Sequence, residues 1–203
     1  MIPRFLFPVL SVLASSFYLP AGAEELSIHH PNIADVTRFA GAPDIVTPTG
    51  IAVAPDGRVF VQENHTHHRP EDYVGPEKDR IYIFEDTDGD GVHDKRTIFH
   101  EGLETSTDLL FDKDGHLYAT TRRDVFRFPN AASLEVAEGE PELIVHCDTE
   151  CDYPHDGVSG LAINPHSPGW LYFGFGENLN HDFTFVGSDG TRITGGGEGG
   201  SSY

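Results

Sequence analysis

Short apolar runs recur along this chain, and each run is bounded by turn residues. Residues 50–61 (GIAVAPDGRVFV) predict a strand, an Asp-Gly turn and a second strand. Residues 108–119 (DLLFDKDGHLYA) repeat that pattern, and 160–165 (GLAINP) with 170–174 (WLYFG) repeat it with a longer turn. From Ile51 to Leu109 is 58 residues, and from Leu109 to Leu161 is 52. A third strand follows each of the first two hairpins, at 81–84 (IYIF) and 125–128 (VFRF), and a fourth at 97–100 (TIFH) and 143–146 (LIVH). The Asp-Gly pairs supply the positive φ that a tight hairpin needs. The β-branched and aromatic content suits strands buried on both faces. No convincing amphipathic helix is present, and residues 131–140 read as a loop.

Four strands per unit at a period near 50 predict an all-β fold of β-propeller type. A β-sandwich is the alternative, but it does not account for the self-similarity. Residues 45–203 make about three blades, the last incomplete, of a six-bladed or larger ring. A closed propeller takes at least about four blades, so the chain reads as the front part of a longer protein or a truncated product. Residues 24–44 form a lead-in. Residues 1–23 read as a signal peptide: Arg4, an apolar stretch from Phe5 to Leu19, and small residues Ala21, Gly22 and Ala23 before Glu24. That stretch is short for a membrane span, which takes about 20 residues; an uncleaved anchor is the alternative. No later segment is apolar enough to cross a bilayer. The expected location is therefore exported, periplasmic or extracellular.

The formal charge of −20 disfavours nucleic acid and anionic lipid as partners and suits a neutral substrate or a cation. Aromatic residues at 11% argue against disorder. The two cysteines, Cys147 and Cys151, could close a small disulfide loop in an oxidising compartment. They form no CxxCH haem motif, and two thiols alone make a poor zinc site.

Three constellations could carry chemistry. Asp86, Asp88 and Asp90 occupy alternate positions of a DxDxDG loop, with Gly91 at its turn, the Val92 carbonyl next, and Asp94 able to bind directly or through water. Strands flank this loop and Thr97 stands where an EF-hand has Glu, so it reads as a structural calcium loop on a β-hairpin. His155, in the loop entering the third repeat, and Glu177, just past its second strand, are expected at one end of the sheets. A His oriented by a carboxylate can act as general base toward an alcohol; a structural pair holding two loops is the alternative. Residues 63–68 (ENHTHH) end the first hairpin. Extended spacing sends His65 and His67 to one side and His68 to the other, either as solvated histidines or with Glu63, Asn64 and His65 lining a pocket. His29 and His30 read as surface residues. There is no nucleophile elbow, and the glycines of 195–200 make only a weak phosphate-loop signal.

Residues 48–57 (PTGIAVAPDG), 63–70 (ENHTHHRP), 85–91 (EDTDGDG), 153–157 (YPHDG), 175–178 (FGEN) and 187–191 (GSDGT) resemble a family of large exported planctomycete-type proteins labelled membrane-bound dehydrogenases. Their N-terminal part is similar to the quinoprotein glucose/sorbosone dehydrogenases. The resemblance spans roughly residues 30–200. It implies oxidation of a sugar or polyol with pyrroloquinoline quinone (PQQ), His155 as base and Glu177 as its acidic partner. His181 matches a cofactor-side residue more loosely, and a cytochrome c-type electron acceptor is implied. The loop at His155 is two residues longer than the family pattern. The resemblance puts the cationic quinone ligands and the quinone calcium site in later blades, so residues 1–203 alone are expected to be inactive. A non-catalytic, calcium-stabilised propeller that binds carbohydrate or protein is the main alternative. A lactonase-like propeller with Glu63 and Asn64 as metal ligands is a third.

Overall fold

The computed structural model describes residues 28–30, 33–153, 157–167, 169–197 and 201–203. The expected leader at 1–23 lies outside them, as does His155. The chain divides into two units, residues 1–38 and 39–203. The first contains an antiparallel pair, β1 (Ile28–His30) and β2 (Ile33–Val36).

The second unit is built from antiparallel sheets. Strands β3 (Pro48–Val53), β4 (Val59–Glu63), β5 (Asp79–Glu85) and β6 (Lys95–Leu103) form a four-stranded meander. Strands β7 (Ser106–Phe111), β8 (Leu117–Thr121), β9 (Asp124–Phe128) and β10 (Glu142–Thr149) form a second meander. Two further strands, β13 (Phe183–Gly187) and β14 (Arg192–Gly195), add to its β10 edge to make six. The third sheet is β11 (Val158–Ile163), β12 (Leu171–Phe175) and the short β15 (Ser201–Ser202). Among the described residues a single 3-10 turn, Ala131–Ser133, lies in the expected loop. Among the described residues no helix is long and apolar enough to cross a membrane.

The first two repeats match in their hydrogen bonds as well as in their strands. The turn Ala54 N–H to Arg58 O recurs 58 residues on as Asp112 N–H to His116 O. Both turns close on a left-handed glycine, Gly57 (φ 92) and Gly115 (φ 83), where a side chain would be strained. At the other end, Asn64 N–H donates to Thr47 O, Arg122 N–H to Thr105 O and Gly176 N–H to Gly157 O, each at 3.0 Å. The same contact thus closes the same end of all three hairpins. Strands β3 and β7 run close together: a Cβ on Gly50 would meet Leu109 N at 2.7 Å and Asp108 C at 2.8 Å.

The sheets pack face to face. Phe60, Ile81, Ile83 and Phe99 of the first meet Leu109, Leu117 and Phe128 of the second. Val125 and Cys147 of the second, with Phe183 and Phe185, meet Val158, Phe173 and Phe175 of the third. Strand β5 shows why its sequence is apolar throughout. Ile81 and Ile83 point into the first cluster, while Tyr82 and Phe84 point to the opposite face against Ile45 and Val61.

The third repeat departs from the pattern of the first two. The two strands that follow its hairpin, β13 and β14, which the sequence reading did not predict, join the β10 edge and not β12. Asn178, 2% exposed, explains the redirection. Its Nδ2–H donates to His181 O (2.7 Å), Thr149 Oγ1–H donates to Asp182 O (3.0 Å), and Leu179 and Asn180 are left-handed (φ 45 and 64). The chain is thereby locked against the end of β10, and Phe183 and Phe185 pair opposite Thr149 and Cys147.

Phe60 is fully buried and packs edge-on to Phe99 and Phe111, at 5.1 and 4.9 Å between ring centroids. Phe60→Ala is expected to lower unfolding free energy by about 3–5 kcal/mol in denaturant titration. Ile51→Thr, at a position 65% exposed, should stay within about 0.5 kcal/mol.

Candidate functional site

The ends of β4, β8 and β12 carry a polar rim. At the first hairpin, Glu63 and His65 are 3% and 6% exposed. His65 Nε2 pairs with Glu63 Oε2 at 2.7 Å, and His65 Nδ1 with Tyr73 Oη at 2.5 Å. Val46 N–H donates to Glu63 Oε1 (2.7 Å). Asn64 Nδ2–H reaches the second sheet at Ser106 O (2.9 Å). Asp79 is fully buried and accepts from His65 N–H (2.6 Å), Thr66 N–H (2.9 Å) and Ser106 N–H (2.8 Å).

This overturns the expectation of alternating histidines at 65–68. Strand β4 ends at Glu63, Asn64 caps the turn by accepting from Thr66 and His67 N–H, and His68 is left-handed (φ 48). His67 and His68 instead meet edge to face, 4.6 Å between centroids. Glu63 and Asn64 spend their side chains on protein partners, which is a structural role.

One repeat on, Arg122 and Arg123 occupy the positions that correspond to Asn64 and His65. Arg122 Nη2–H donates to Asp152 Oδ1 (2.8 Å) and holds that carboxyl below its usual pKa. Arg123 Nη2–H donates to Cys151 O (2.9 Å). Sequence reading missed both. The available signal was a pair of adjacent cations directly after a strand, in a chain with 13 basic against 33 acidic residues.

At the third hairpin the rim carries Gly176, Glu177 and Asn178. Glu177 and His181 are both exposed. His181 borders a cleft of about 380 Å³ with Asp148, Glu150 and Asp182, so its surroundings are acidic. An anionic quinone needs cations at hydrogen-bonding distance. Arg122 and Arg123 are turned toward Asp152 and Cys151 instead, and the described rim does not by itself fit PQQ.

The DxDxDG loop joins β5 to β6. Asp86, Asp88 and Asp94 each bring a carboxylate oxygen within 4.8 Å of the others. Oxygens bound to one calcium at about 2.3–2.6 Å lie within about 5 Å of each other, so this trio fits that ion. Asp90 stands outside the trio, its Oδ1 accepting from Val92 N–H (2.8 Å). Asp86 accepts from Gly89 and Gly91 N–H (2.7 and 2.9 Å), which curls the loop around its carboxylate. Thr87 Oγ1–H and N–H both donate to Asp94 (2.7 Å) and lower its pKa.

The fold and sites define an all-β domain of stacked antiparallel sheets whose hairpin ends carry a polar rim. The chain belongs to the family described as a domain of unknown function (DUF7133), which matches residues 23–193. No curated protein matches it.

Cys147 and Cys151 are both buried, and no bond joins them to each other. The expected small disulfide loop is therefore not formed. Cys147 faces Val125, Val158 and Phe173, and burial pushes its thiol up to about 11. The neutral thiol is the form the fold favours. Its stabilising contribution is complete below the ordinary thiol value near 9 and fades as pH climbs toward about 11. At pH 8, iodoacetamide labelling of Cys147 in the native protein should be negligible and should appear only with denaturant, read by peptide mass.

Proposed function

We propose that the chain forms successive blades of a β-propeller in an exported protein similar to the quinoprotein glucose/sorbosone dehydrogenases, with the rim as its catalytic face. The 58-residue recurrence of hydrogen bonds and the face-to-face packing of the sheets support the propeller. The observation that carries the site is the bond from Gly176 N–H to Gly157 O, 3.0 Å. Glu177 follows its donor by one residue, and His155 precedes its acceptor by two. In this reading His155 takes the hydroxyl proton of a sugar or polyol, Glu177 orients the imidazole, and His181 lies on the cofactor side. PQQ would be the hydride acceptor in this reading, the resemblance assigning its cationic ligands to other blades, and a cytochrome c-type protein would be the electron acceptor. The formal charge of −20 suits a neutral substrate and not nucleic acid.

Calcium in this reading is structural, held by Asp86, Asp88 and Asp94, with Asp90 and the Val92 carbonyl as further oxygens. A second reading, a calcium-stabilised propeller that binds carbohydrate or protein without turnover, is favoured by the exposure of Glu177 and His181. A general base works best where water is excluded.

Dye reduction across a sugar panel, with PQQ and calcium added to the longest natural polypeptide containing this chain, tests the reading. His155→Ala should abolish turnover and leave the melting curve unchanged. No reduction of dye by any sugar while PQQ is bound would leave the non-catalytic reading in its place. Calcium at a hundred-fold excess over its Kd should stabilise the fold by about 2.7 kcal/mol, seen as a higher melting temperature. Asp88→Ala should blunt that rise, and identical curves in calcium and chelator would remove the ion from the account.

A further inference from the structure

The opposite end of the same strands carries a second concavity. The β7–β8 turn and the β11–β12 turn lie at the end away from the rim, and between them is a cleft of about 300 Å³. That is the lower end of the range for small-ligand clefts, about 300–1,000 Å³. Trp170 opens its wall and is 68% exposed. Ile163 and Leu171, a cross-strand pair, and Tyr118 make the rest of the apolar surface. A lone exposed aromatic needs no explanation. An indole that lies open to solvent beside aliphatic and phenolic surface in a concave site is a different case, because it offers a flat face to a ligand.

The polar edge decides what kind of ligand. Asp112 Oδ1 accepts from Asp114 and His116 N–H, both 2.9 Å, which fixes the turn. Among the described residues none donates to its other oxygen, Oδ2. Lys113 Nζ binds both oxygens of Asp114, at 2.7 and 2.8 Å, so the two charges offset each other and the ammonium keeps one N–H for a ligand. The edge therefore mixes a free acceptor with a donor. An organic cation would gain from Trp170 and Asp112 but would leave the Lys113 donor unused. A carboxylate or phosphate ligand could use that donor but would be repelled by Asp112. A neutral polyol satisfies both groups, since each hydroxyl donates and accepts. A sugar ring adds an apolar C–H face that lies flat on an indole.

We infer that the cleft between the Asp112–Gly115 turn and Trp170 is a neutral-saccharide binding site, separate from the rim, with room for one or two sugar rings. Trp170 is the stacking platform, and Asp112 and Lys113 bind hydroxyls. The site does not depend on the catalytic reading of the rim.

Trp170 is the sole tryptophan of residues 1–203, so in that polypeptide its emission reports on this cleft alone. Titration with cellobiose, maltose and laminaribiose should shift and saturate that emission with at least one of them. In calorimetry, Trp170→Ala should weaken the same disaccharide roughly tenfold or more, with an unchanged melting curve because the side chain is exposed. Trp170→Phe should restore part of the affinity. Asp112→Asn, which keeps the turn acceptor, should weaken binding less than Trp170→Ala. His155→Ala should leave the emission titration unaltered, which separates this site from the rim. Absence of any emission change with all three sugars would overturn the assignment. So would a disaccharide that binds Trp170→Ala as well as the unaltered protein, or a response to choline and to no sugar.

Discussion

Asp79 is a carboxylate with no solvent exposure, and three backbone N–H groups point at it. Two come from the turn after β4 and one from the first residue of β7. A buried carboxylate is tolerated only where such donors replace its lost water, and donors to a charged acceptor make the stronger hydrogen bonds. The arrangement therefore holds the first sheet to the second at one defined position. It also fixes the backbone of His65, whose side chain then reaches both Glu63 and Tyr73. The rim at the first hairpin is a consequence of that one buried charge. The next sheet is joined differently: Asp108 accepts from Leu161 N–H (2.8 Å), and Thr107 Oγ1–H donates to Val158 O (2.7 Å).

The strands separate two kinds of surface. Their rim end carries Glu63, His65, Arg122, Arg123 and Glu177, of which those at the first hairpin are sealed and that at the third is open. Their turn end carries the Asp-Gly hairpins and Trp170. Repetition explains the division, because every hairpin presents its tight turn at one end and its inter-sheet bonds at the other. The first two repeats conform most closely. In the third, the bonds of Asn178 send the chain across to β10.

Much of the fold was legible because its signals are local. Short apolar runs and Asp-Gly turns depend on residues close along the chain, their recurrence near every 50 residues groups them into units, and the first eight strands of the repeats lie where those patterns put them. The loop at 131–140 was legible for the same reason. Its link to the first sheet was not: Arg58 donates to Ala132 O and Leu134 O, 74 and 76 residues away. At the acidic loop, spacing alone placed Asp86, Asp88 and Asp90 at alternate ligand positions, with Asp94 binding directly or through water. The folded loop brings Asp86, Asp88 and Asp94 within 4.8 Å of one another and leaves Asp90 outside that trio.

By itself the sequence determined strand identity, turn position and the acidic loop, all of which depend on residues close along the chain. Tertiary structure alone decided that His65 is buried, that Arg122 and Arg123 share its rim, that the two cysteines are apart in bonding, and that β13 pairs with β10. Each of those outcomes depends on which groups distant in sequence come within contact of one another. That contact is set by how whole sheets stack, and no short stretch of sequence encodes it.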